Sequence, residues 1–193
     1  MFIILAHPKK TECLNYIKKL LTIILFISLS IDLAFAKSNQ DTSANGFVSY
    51  QPAIYGREFD NASLAVEYRH PKLYTKYDLR PINGILLTTA DDWFAFIGLM
   101  HDFRSKTPWV TSFSFSIMGY YHSSDEGRDL NFPVEFRSKI ESAYRFSNQI
   151  RLGIGFSHIS NARLSHIVYD KGNPGVEILS LSVSVPINKK QNK

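Results

Sequence analysis

His158 and Ser160 stand two residues apart, and Glu177 follows beyond a turn-rich stretch. An imidazole, a hydroxyl and a carboxylate are the parts of an acyl-transfer triad. Ser160 would be the nucleophile and His158 the general base, with Glu177 holding the imidazole tautomer and stabilising the imidazolium. A tetrahedral intermediate also needs fixed hydrogen-bond donors. Asn173, mounted in the rigid turn Asn173-Pro174-Gly175, is the candidate, joined by the backbone N–H near Arg163. Plainer readings exist for each residue. A lone His-x-Ser is too short to be specific, and His158 and Ser160 suit belt positions at a membrane interface with Glu177 among headgroups. Asn-Pro-Gly is good turn chemistry on its own. The elements that carry these residues weigh the two readings.

From residue 46 onward the apolar residues recur with period two, broken at short intervals by turn residues. This pattern predicts strands near 46–56, 62–74, 79–89, 92–103, 107–122, 133–146, 149–160 and 176–187. Eight is the smallest number for a transmembrane barrel. In the seventh strand Leu152, Ile154, Phe156, His158 and Ser160 share one face, and Gly153, Gly155, Ser157 and Asn161 the other. In the eighth, Glu177 shares its face with Leu179, Leu181, Val183 and Val185, opposite Ser180, Ser182 and Ser184. The three polar residues therefore converge on an otherwise apolar face, at facing ends of two antiparallel neighbours. There they are costly unless they satisfy one another. Asn161 points away from Ser160 and is expected to brace the loop.

Other strands bear on which face is outside. The sixth carries Val134, Phe136, Ile140, Tyr144 and Phe146 on one side and Glu135, Arg137, Lys139, Glu141 and Arg145 on the other. A soluble ligand-binding barrel would alternate too. The fifth sets Trp109, Phe113, Phe115 and Ile117 against Ser112, Ser114 and Ser116. Large aromatics suit lipid, and small polar residues suit a narrow lumen. The charges of the sixth strand are then expected to form an internal salt-bridge network.

His158-Ile159-Ser160-Asn161-Ala162, followed by Asn173-Pro174-Gly175-Val176-Glu177 and a serine-alternating last strand, resembles the PagL-type lipid A 3-O-deacylases. Pro133-Val134-Glu135-Phe136-Arg137-Ser138 and Tyr144-Arg145-Phe146 are similar as well. The resemblance covers residues 130–187 well and the earlier strands by general pattern. It implies an all-β fold, an eight-stranded antiparallel outer-membrane barrel, whose Ser160, His158 and Glu177 hydrolyse the ester-linked acyl chain at the 3 position of lipid A. Three departures from the pattern stand out. Arg163 follows Ser-Asn-Ala where a small residue such as Gly is expected, the 161–175 loop is several residues longer, and the chain continues past Ile187 to Lys193.

The remaining features fit an exported protein. Lys9, Lys10, Lys18 and Lys19 precede the apolar run Leu20 to Ile31, and Ala34-Phe35-Ala36 supplies a cleavage site, so residues 1–36 read as a signal peptide. The run of 12 residues falls short of the ~20 of a spanning helix, although an uncleaved anchor is the alternative. Residues 37–45 are a polar leader, 46–187 the barrel and 188–193 a basic tail. A mean hydropathy of −0.11 excludes a polytopic helical membrane protein. The only cysteine, Cys13, excludes a disulfide framework. The net charge of +5 falls to +3 without the signal, and Lys189, Lys190 and Lys193 account for that remainder. A near-neutral body offers no stripe for a phosphate backbone, so nucleic acid is not an expected partner.

The expected partners are lipopolysaccharide, as lipid A substrate, and membrane lipid, with a homodimer possible in principle. No cofactor or metal is expected. His70, His101, His122 and His166 lack ligand spacing and read as strand-end or loop residues, and Asp91-Asp92 reads as a solvated loop tip. With both termini periplasmic, loops near 57–61, 90–91, 123–132 and 161–175 face outside, and turns near 75–78, 104–106 and 147–148 face the periplasm. The competing functions are a non-enzymatic structural or adhesion barrel and a phospholipid acyl hydrolase of the same build.

Overall fold

A computed structural model describes residues 46–73, 78–103, 107–123, 129–172 and 174–187. The expected signal (1–36), leader (37–45) and tail (188–193) lie outside the described residues, as does Asn173. The strands are β1 (Gly46–Gly56), β2 (Asn61–Arg69), β3 (Leu79–Thr88), β4 (Asp92–Phe103), β5 (Trp109–His122), β6 (Val134–Arg145), β7 (Arg151–Ser160) and β8 (Val176–Ile187). Each pairs antiparallel with the next, and β1 pairs with β8, closing the barrel. Closure leaves no sheet edge, which is the condition for strands to stand in hydrocarbon.

The outside is apolar, and much of the inside is polar. On β5, Trp109 is 54% and Ile117 51% exposed, whereas Ser112, Ser114 and Ser116 are buried. On β7, Leu152, Ile154 and Phe156 project outward, as do Leu179, Leu181, Val183 and Val185 on β8. A water-soluble barrel would reverse this order, so the aliphatic and aromatic belt is a lipid-facing surface.

The lumen is filled in layers. At mid-height Arg69 grips Glu141 through both terminal nitrogens (2.9 and 2.8 Å) and Glu67 through Nε (2.8 Å). Arg137 donates to Glu67 at 2.7 Å, and Lys139 donates to Glu141 and Gln51, both at 2.7 Å. This is the internal network the sixth strand implied, drawn from β1, β2 and β6. Toward the end holding the termini, Arg80 and Arg151 share Asp102 (3.3 and 3.1 Å), and both guanidinium groups lie over the Phe47 ring. Toward the loop end the interior turns apolar: Leu86, Phe94, Phe96, Met118, Leu130, Ile159, Val176 and Ile178 pack as one cluster. The serine pattern of β5 and β8 marks the polar part of the lumen and gives no sign of this apolar part. The apolar residues are spread over several strands, Met118 on β5 and Val176 and Ile178 on β8 among them, and single apolar positions at the ends of polar rows carry little local signal.

Several strand ends differ from the pattern by one or two residues, and two differences are larger. β2 ends at Arg69 rather than near residue 74, because Pro71 lacks the N–H needed to continue a ladder. The 161–175 loop contains a short helix, α1 (Leu164–Tyr169), that alternation did not suggest. The turn at Ser147-Asn148 is a tight reversal, with Phe146 N–H bonded to Ile150 O at 2.9 Å and Gln149 in the left-handed region.

Because the mid-lumen charges are buried, their worth shows when one is removed. Glu141→Ala leaves Arg69 and Lys139 without their shared carboxylate, and breaking a buried pair this way costs about 3–5 kcal/mol. Urea unfolding in lipid vesicles, followed by tryptophan fluorescence, should show that loss. Combining Glu141→Leu with Arg69→Met should lose less than the two single changes together.

Candidate active site

β7 and β8 bring two of the three triad candidates into contact. Register sets His158 directly opposite Glu177, and both side chains leave the outer face of the barrel. His158 Nδ1 lies 3.3 Å from Glu177 Oε1. With Nδ1 engaged by the carboxylate, Nε2 is the nitrogen left to take a proton. The pair is part-exposed, the side chains at 47% and 31%, at the loop end of the lipid-facing belt. Ser160 stands on the same face one step further out, opposite Phe136 of β6. Among the described residues no hydrogen bond joins it to His158. A hydroxyl two positions along a strand comes within reach of the imidazole by side-chain rotation, and such contacts commonly tighten only when substrate is bound.

Gly175 decides where the imidazole can lie. A Cβ there would stand 2.7 Å from His158 Cε1, 3.2 Å from Nε2 and 3.2 Å from the Ile159 carbonyl oxygen. The ring occupies the space that any other residue would fill. In the sequence this glycine reads only as turn chemistry, since its neighbour across the sheet is unknown until the register is fixed.

The remaining site candidates are placed as follows. Asn161 is fully buried on the lumen side. Its amide donates to the Leu130 carbonyl (3.0 Å) and to Glu135 (3.4 Å), and its Oδ1 accepts from Ser165 Oγ (3.2 Å). It thus ties β7 to the 129–133 segment and to α1. Ala162 and Arg163 follow with φ of 52° and 66°. Arg163 holds the left-handed conformation that glycine adopts without cost, which accounts physically for a small residue being expected there. Asn173 is outside the described residues.

One expectation is corrected. Asp92 is not a solvated loop residue; it is 2% exposed and accepts from Tyr55 Oη (2.7 Å) and Tyr120 Oη (2.9 Å), with His122 Nδ1 at 2.7 Å. These partners come from β1 and β5, so nothing near Asp92 in sequence announces them. Asp91, with φ of 59°, makes the turn. His122 is therefore the part-buried half of a pair with buried Asp92, and His70, fully buried, bonds to Asn83 Oδ1 at 2.6 Å.

An inside-out closed barrel of eight antiparallel strands with a lipid-facing belt is an outer-membrane β-barrel. The sequence profile of the family described as Lipid A 3-O-deacylase (PagL) matches residues 45–186, the barrel but for its last residue. The chain belongs to this family. It is similar in structure to the protein of "Crystal structure of the outer membrane enzyme PagL", with 16% identity, a TM-score of 0.56, and coverage of 73% of this chain and 99% of that one. It is also similar to a barrel from "De novo design of transmembrane beta-barrels", with 7% identity, a TM-score of 0.53, and coverage of 77% and 100%. No curated protein gives a significant sequence match.

The close fit at Gly175 yields a direct test. Gly175→Ala should leave the barrel folded, with an unchanged electrophoretic heat shift. It should push the His158 ring off Glu177, read as loss of the Nδ1–carboxylate hydrogen bond in the imidazole 15N spectrum.

Proposed function

We propose that the protein is a serine esterase that hydrolyses the 3-position ester-linked hydroxyacyl chain of lipid A, working from the lipid side of its barrel in the outer leaflet. The observation that carries this reading is the His158–Glu177 pair, an ion-pair geometry on a face otherwise given to lipid, with Ser160 beside it. Membership of the lipid A 3-O-deacylase family supplies the substrate class. With the termini in the periplasm, the loop end, where the pair lies, faces outward.

Each role follows from ordinary acyl-transfer chemistry. Ser160 Oγ attacks the ester carbonyl as His158 Nε2 takes its proton, and the carbonyl electrons move to oxygen. Glu177 keeps the Nδ1 proton in place and stabilises the imidazolium. Collapse expels the sugar 3-oxygen, which takes the proton from His158. Water, activated by the same imidazole, then releases the hydroxy fatty acid and restores Ser160. Asn173 is assigned to the oxyanion from its place in the Asn-Pro-Gly segment that enters β8, and the backbone N–H near Arg163 is a second donor. Asn161, held by three partners on the lumen side, supports the loop without touching substrate.

Mass spectrometry of lipid A from cells with and without the protein tests the reading. Loss of one hydroxyacyl mass is expected. Unchanged lipid A with released phospholipid fatty acid would indicate a phospholipid hydrolase instead, and no change in either would leave a structural barrel. On purified protein, Ser160→Ala should abolish turnover without unfolding, and His158→Ala should be about as damaging, since triad members act as a unit. Glu177→Ala should cost less, and Asn173→Ala should cost ~10²–10³ in rate if it holds the oxyanion. An active Ser160→Ala variant would overturn the mechanism.

A further inference from the structure

The connection between β7 and β8 is folded rather than loose, and α1 within it has one side fixed. Ser165 is fully buried and donates to the Gly172 carbonyl at 2.9 Å and to Asn161 Oδ1 at 3.2 Å. The chain beyond the helix folds back on it, Asp170 N–H reaching His166 O at 3.1 Å and Lys171 N–H reaching Ser165 O at 3.2 Å. The helix cannot roll. At 100° per residue, holding Ser165 inward sets Leu164, Ile167 and Val168 together on one flank and His166 on the other.

That flank is apolar and, beyond the part-buried Leu164, uncovered. Ile167 is 75% exposed, more than any other large hydrophobic residue described, and Val168 is 50% exposed. Arg163, His166 and Lys171 flank the stripe in sequence, together with Asp170, whose carboxylate lies 3.3 Å from His166 Nδ1. An apolar flank beside basic residues is the composition of a helix lying in a membrane interface. Two connections tie it to lipid. α1 connects β7 and β8 just beyond the loop end of the lipid-facing rows Ile154, Phe156 and Leu179, Leu181, with His158, Ser160 and Glu177 between. Tyr169 packs its ring on Phe132, just before β6, at 5.8 Å and keeps the rest of its surface open, as aromatic residues do at headgroup level.

We propose that α1 is an interfacial helix, its Leu164–Ile167–Val168 flank seated among the acyl chains at the surface of the outer leaflet. The loop above His158 and Ser160 then rests on lipid, and a lipid in the same leaflet approaches from beneath it. This inference depends on the barrel's membrane placement and not on the esterase reading.

Cysteine labelling tests it in the full chain, because Cys13 is the only cysteine. With Cys13→Ser as background, Ile167→Cys, Val168→Cys and His166→Cys are each spin-labelled after reconstitution into phosphatidylethanolamine–phosphatidylglycerol vesicles. Collisions with oxygen, which partitions into lipid, are compared with those of a water-soluble nickel chelate. The oxygen-to-nickel ratio should be several-fold higher at 167 and 168 than at 166, and close to that of a Leu179→Cys control. Equal nickel access at 166, 167 and 168 would overturn the proposal. Shielding from both reagents with spin–spin broadening would also overturn it, in favour of a second copy covering the flank.

Discussion

Hydrocarbon offers backbone amides and carbonyls no partner, and each left unpaired costs several kcal/mol, about the net stability of a domain when a few are summed. A strand can therefore stand in the membrane only if both its edges are paired, and here the ladder between β1 and β8 completes the circle. Once it is closed, the strict alternation of side chains allows no freedom of choice. Shifting any strand by one residue would turn Arg69, Arg137 or Glu141 toward lipid and Leu181 or Phe115 into the lumen. Register is thus pinned by a large energy difference at every strand, and the position of each outward side chain is inherited from it.

The lumen enforces the same register from within. Glu67 and Glu141 are each shared between cations from β2 and β6, which stand on opposite sides of the interior. Such links span the barrel rather than run along one strand. They are satisfied only when both strands are in place. The apolar cluster under the loop end and the Asp92 knot with Tyr55, Tyr120 and His122 then stiffen the rim. That rim is the base on which the His158–Glu177 pair stands.

What could be read from the chain before its fold was known follows from the range of each signal. Alternation is local, so the eight strands, their faces and the outward placement of His158, Ser160 and Glu177 were legible, and the strand bounds of β1, β4 and β8 coincide with the pattern. The charged face of β6 likewise announced a buried network. The members supplied by other strands did not: Glu67, Arg69 and Gln51 lie about seventy or more residues away from their partners. Asp92 was misjudged for the same reason, since a turn-proximal aspartate looks solvated until Tyr55 and Tyr120 are seen to enclose it. Helix α1 was hidden because six residues give less than two turns of periodicity, too short to stand out against alternation. Gly175 was legible as a turn and not as the floor of the imidazole site.

The division of labour at the rim follows from these differences in rigidity. Glu177 and His158 stand directly opposite each other in the ladder, so their backbones are fixed by the register, and Gly175 leaves the space in which the imidazole meets the carboxylate. Ser160 is the last residue of β7, and the chain leaves it through two consecutive left-handed residues, Ala162 and Arg163. That reversal is maintained from below by Asn161, whose side chain is held in the lumen while the backbone turns over it. The orienting pair therefore belongs to the stiff barrel, and the hydroxyl sits where the barrel hands over to the loop. A change at Ala162 or Arg163 can then alter how Ser160 meets His158 without disturbing the His158–Glu177 contact. The left-handed Arg163 consequently bears on where the Ser160 hydroxyl stands rather than on the His158–Glu177 contact.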